Sequence, residues 1–86
     1  MEIRTMKFWG APEMNGMVIS DGYHHLTVWD NGKVAACEGE DSETDVEPIG
    51  EVWDELKSYK ERISEFKQVE SLSTGGIDYK LYVLAE

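Results

Sequence analysis

Cations are scarce in this chain: 8 Lys and Arg stand against 18 Asp and Glu, a formal net charge of −10 over 86 residues. The shortage is local. Residues 38–55 hold nine carboxylates (Glu38, Glu40, Asp41, Glu43, Asp45, Glu47, Glu51, Asp54 and Glu55) and no Lys or Arg. The flanking segments 1–37 and 56–86 are near balance, at −1 and 0. A surface without Lys and Arg cannot grip phosphates, which excludes direct nucleic-acid binding. The same charge disfavours anionic membranes. Cysteine is limited to Cys37, so no intrachain disulfide can form and a reducing compartment is expected. Long apolar runs are missing too: the longest, Leu81 to Ala85, is far short of the ~20 residues that span a bilayer. The segment Met1 to Phe8 lacks the apolar stretch of a signal peptide, and a cytoplasmic location is expected.

Catalytic signatures are equally sparse. There is no Gly-x-Gly-x-x-Gly or P-loop pattern, no Cys-x-x-Cys pair, and no nucleophile placed beside a base. The series Asp41, Glu43, Asp45, Glu47 invites a calcium reading. An EF-hand loop started at Asp41 would need Gly and Glu at its sixth and twelfth positions, which hold Val46 and Val52. His24 and His25 alternate across a strand and cannot chelate one ion together. The expectation is therefore no enzyme, no metal and no cofactor.

What the chain does have suffices for one small domain, residues 1–86. It is 41% apolar, with three Trp, four Tyr and two Phe, which is too rich in aromatics for a disordered segment. Apolar alternation and turn residues predict strands over 3–9, 17–20, 23–29, 33–38, 69–73 and 77–84. Between the fourth and fifth, Ile49, Val52, Trp53, Leu56, Tyr59, Ile63 and Phe66 recur at spacings of three and four. That is one stripe of an amphipathic helix, opened by Pro48 and running to Phe66. The order β-β-β-β-α-β-β predicts an α+β fold: an antiparallel sheet of five to six strands with one helix packed on a face. Asn31-Gly32 predicts a two-residue type I′ hairpin, which sets Trp29 opposite Val34 and Leu26 opposite Cys37. In that register Tyr23, Trp29 and Val34 share a face opposite the core, and His25 faces Glu38.

On the helical wheel Glu47, Glu51, Asp54, Glu61 and Glu65 fall on the side away from the apolar stripe. If the loop before the helix is extended, Asp41, Glu43, Asp45 and Glu47 point one way at about 7 Å intervals, comparable to the phosphates of a nucleic-acid strand. A solubilising surface usually mixes both signs, and a one-sign block costs self-repulsion. The block Glu38, Glu40, Asp41, Glu43, Asp45, Glu47, Glu51, Asp54 and Glu61 is therefore expected to meet a basic partner, such as a nucleic-acid-binding protein. In size, acidity and lack of catalytic motifs the chain resembles small phage-encoded anti-CRISPR and anti-restriction proteins. That resemblance implies an inhibitor acting in the cytoplasm of a bacterial host, by occupying a basic groove that would hold DNA or RNA. An alternative is self-association, as a homodimer, through the Tyr23, Trp29 and Val34 face, with the carboxylates only solvated.

Overall fold

Short turns join the first four strands, so each lies antiparallel beside the one before it: β1 Glu2–Phe8, β2 Gly16–Ser20, β3 His24–Trp29 and β4 Val34–Glu38. Helix α1, Glu51–Ser58, then carries the chain back across the sheet, and a 3₁₀ segment, Tyr59–Glu65, delivers it to the far edge. There β5, Lys67–Thr74, forms the outer strand, and β6, Ile77–Val83, returns between β5 and β1. The computed structural model thus holds one six-stranded sheet in the order β4-β3-β2-β1-β6-β5, antiparallel throughout. This is the expected α+β architecture. The structure describes residues 1–40, 42–45 and 47–84; Asp41, part of the expected acidic surface, lies outside them.

Alternation along the strands places Ile3, Ile19, Leu26, Val28 and Ala36 on one face. Trp53, Leu56, Tyr59 and Phe66 cover them, and all nine are buried in one cluster. The covering segment is shorter and more tightly wound than the apolar stripe predicts. Gly50 sits at φ +138, a backbone state closed to a helical L-residue, so α1 starts at Glu51 and not at Pro48. Ile49 accordingly projects from the lead-in, 91% exposed, and Val52 is also exposed. After Ser58 the winding tightens to 3₁₀, with a kink at Arg62.

The β3–β4 hairpin differs from the predicted register by one residue. Trp29 N–H bonds to Lys33 O at 2.9 Å and Gly32 N–H to Trp29 O at 3.0 Å, enclosing the three-residue loop Asp30-Asn31-Gly32. Only Gly32 takes a positive φ, so Asn31 does not adopt the type I′ conformation. Its side chain caps the turn instead, accepting the Lys33 N–H at 2.9 Å. Leu26 therefore faces Ala36, Val28 faces Val34, and His25 faces Cys37. Ala35 and Cys37 turn to the outer face, while Val34 and Ala36 join the core side. Both alternating sets of β4 are apolar, so hydrophobic pattern alone could not choose between the registers. The two-residue loop with both residues at positive φ occurs at Gly75-Gly76, between β5 and β6.

Gly16 is buried within β2, opposite Trp29. A Cβ there would lie 2.7 Å from Val28 O and 3.4 Å from Trp29 Cδ1. Gly16→Ala must push two strands apart and is expected to cost about 1–3 kcal/mol. Urea unfolding should show a lower midpoint at unchanged slope. Gly10→Ala, where the added carbon meets nothing within 4 Å, should stay within about 0.5 kcal/mol of the parent.

Candidate functional site

The acidic block wraps the β4 edge of the sheet and the N-terminal turns of α1. Gly39, at φ +59, reverses the chain after β4, and its N–H bonds to Tyr23 O at 2.7 Å. The return segment pairs with β4 at one point: Ala36 and Thr44 exchange two backbone hydrogen bonds of 2.9 Å. Extended backbone on either side of Thr44 turns Glu43 and Asp45 to the sheet face away from the helix. Glu43 stays exposed but is held there, because buried Thr27 donates its hydroxyl to Glu43 Oε1 at 2.8 Å.

The expected carboxylates therefore divide. Glu47 precedes the helix and pairs with Lys57 at 3.2 Å, while Lys57 also donates to Pro48 O at 2.9 Å. Glu55 accepts from the Tyr59 hydroxyl at 3.3 Å. Glu65 holds Arg62 through two contacts of 2.7 and 2.9 Å, and the guanidinium lies 4.8 Å from the centre of the Tyr59 ring. That hydrogen-bonded ion pair lowers the Glu65 pKa. These side chains brace the loop and helix. Glu38, Glu40, Asp45, Glu51 and Asp54 are exposed and take part in no ion pair among the described residues. Glu61 is exposed as well, but on the 3₁₀ segment, so it does not continue the α-helical line of Glu51 and Asp54.

Glu13 was not legible as part of this surface. It lies in the 3₁₀ turn Pro12–Met14, beside the β3–β4 hairpin because Asp30 N–H bonds to Asn15 O at 2.8 Å. With Asp45, Glu47, Lys33, Met14 and Trp29 it borders an open groove of about 670 Å³. No local signal marks Glu13; only the strand order brings it to the acidic edge. A second groove, about 320 Å³, separates β4 from the start of α1, with Glu38, Cys37, Pro48, Ile49 and Trp53 on its walls.

The other constellations are occupied by structure. His25 Nδ1 and Ser20 Oγ are 2.8 Å apart, and Ser20 Oγ also accepts the Gly22 N–H at 3.0 Å. Ser20 is only 5% exposed, so it holds the β2–β3 turn and presents no accessible hydroxyl. Cys37 faces His25 on the outer face, and not Leu26 as the predicted register required. Among the described residues no three His, Cys, Asp or Glu side chains converge as a metal site, and no helix is long and apolar enough to cross a membrane. The predicted Tyr23, Trp29 and Val34 face is not formed. Val34 packs on the core side, Trp29 lies on the opposite face, and Tyr23 stands at the other end of β3 with its ring edge-on to His24.

Asp21 closes that same turn. Its Oδ1 accepts the N–H groups of Tyr23 and His24 at 2.9 and 2.7 Å, and Oδ2 meets His24 Nδ1 at 3.0 Å. Partial burial opposes ionisation, but the two backbone donors and the His24 ring outweigh it and bring the pKa from 3.8 to about 2. A lowered carboxylate pKa contributes stability above the unfolded value and loses it as pH falls through the folded one. Asp21→Ala should thus cost about 1 kcal/mol at neutral pH. The gap between variant and parent should close as pH drops from 3.8 toward about 2, followed by urea midpoints.

No protein-family model, curated protein or solved structure matches the chain.

Proposed function

We propose that the protein is a binding module whose acidic edge engages a basic, nucleic-acid-binding partner, and that it inhibits that partner by standing in for the phosphate backbone, as some anti-CRISPR-like proteins do. The observation that carries this reading is the division of the carboxylates. Glu43, Glu47 and Glu55 are exposed but bonded to Thr27, Lys57 and Tyr59, whereas Glu38, Glu40, Asp45, Glu51 and Asp54 are exposed with no ion pair among the described residues. Stability alone would favour interspersed cations, since the uncompensated block repels itself. A basic groove removes that repulsion on binding and is steered to the edge over long range. No catalytic step is assigned; inhibition follows from competition for the groove.

Affinity capture from the source cell tests the reading. Nucleic-acid-binding proteins should be retained by the native chain and released by added DNA or RNA. They should not be retained when Glu40, Asp45, Glu51 and Asp54 are all replaced by Lys. Capture that ignores both the nucleic acid and the replacements would refute the proposal.

A further inference from the structure

We infer that the outer face of the sheet is the contact between two copies of this chain. The helix and the 3₁₀ segment lie on one side only. On the other side the strand registers align apolar side chains in rows: Phe8 beside Ile77, and Met6 beside Tyr79, which is flanked in turn by Leu72 on β5. Leu81 begins the next row. All are half-buried or exposed, and Leu72 is 59% exposed. This patch spans β2, β1, β6 and β5; toward β4 it ends where Glu43 reaches across to Thr27.

Its area suits a second copy. Four strands of about seven residues cover roughly 19 by 23 Å, or about 440 Å² in flat projection. Two such faces together bury about 900 Å² before side-chain relief is counted. This is below the ~1,200 Å² of stable specific interfaces and corresponds to a weak, reversible dimer. Charge also points to self-contact. Arg4 and Lys67 on this face are matched by Glu2 and Glu70, although the chain as a whole carries −10. A basic partner is drawn to the acidic edge and finds no surplus charge here.

The acidic block fixes the arrangement. A two-fold axis parallel to the strands, between β1 and β6, stacks the β1 of one copy over the β6 of the other. It holds the two β4 edges about 34 Å apart, well beyond the ~8 Å screening length at physiological salt. An axis across the strands would instead stack one acidic edge on the other. In the first arrangement the sheets pack face to face, as in a sandwich, and both acidic edges remain open.

Sedimentation equilibrium of the full chain, from low micromolar to millimolar concentration, tests this directly. A monomer–dimer equilibrium is expected, tightening as salt screens the −10 charge of each copy. Binding at the acidic edge weakens with salt, so the two proposals fail independently. Leu72→Asp and Met6→Asp should each weaken the dimer about tenfold or more, whereas Val52→Asp on the exposed helix surface should not. Should either variant unfold, the native chain still decides. Concentration-dependent NMR shifts should be confined to the outward residues of β2, β1, β6 and β5. A monomer at millimolar concentration, or shifts that map to the β4 edge, would overturn the inference.

Discussion

Leu56→Ala should remove a large part of the stability of this domain. Leu56 is 1% exposed, on the face of α1 that packs against β2 and β3. Its loss leaves a cavity between helix and sheet, at a cost of about 2–5 kcal/mol. A chain of this length has roughly 4–13 kcal/mol in total. With a urea slope near 1 kcal/mol per molar, the midpoint should fall by about 2 M or more. Val52→Ala, one turn earlier on the same helix, should change it by less than about 0.5 M, because that side chain is 41% exposed. The contrast checks how wide the buried stripe of α1 is. If Val52 packed on the sheet as its place in the apolar stripe suggests, the two substitutions would be comparable.

That contrast shows where the sequence is informative. Element type and order follow from apolar spacing and turn residues, and the six strands and one covering helix match them. Trp53, Leu56, Tyr59 and Phe66 were readable as core because they recur every three or four residues. Ile49 and Val52 fit the same spacing, but the positive φ of Gly50 starts the helix at Glu51 and leaves Ile49 outside it, while Val52 lies within α1 at its exposed side. The β3–β4 register was ambiguous for a different reason. Val34 and Ala36 are as apolar as Ala35 and Cys37, so burial was nearly indifferent, and the Asn31 side-chain bond to Lys33 N–H favours the three-residue loop. The outer apolar face was hidden because it is assembled from β1, β5 and β6, whose adjacency depends on the strand order. The acidic block was visible as composition. Its division into bracing and open carboxylates was not, because Thr27 and Lys57 are distant in sequence from Glu43 and Glu47.

This division determines how the acidic edge should be probed. Reversing Glu43 would strip the acceptor from buried Thr27, and reversing Glu47 would release Lys57, so lost binding could then reflect a loosened loop. Glu40, Asp45, Glu51 and Asp54 form no ion pair among the described residues. Replacing all four by Lys moves the formal charge from −10 to −2. Folding should survive: relief of self-repulsion offsets two unfavourable cations at the start of α1, where Glu51 and Asp54 complement the helix dipole. Thermal midpoints at low salt should stay within a few degrees of the parent. The salt dependence of the native midpoint should flatten, because the charge that salt screens is largely gone. Affinity for a basic partner should respond quite differently. Each reversal turns an attraction into a repulsion worth about 1 kcal/mol, so four amount to roughly 4 kcal/mol, about a thousandfold in Kd. Most of that loss should appear in the association rate, since the edge acts by long-range steering. A folded quadruple variant that keeps native affinity at low salt would locate the binding energy elsewhere, on the apolar sheet face or the groove beside Ile49.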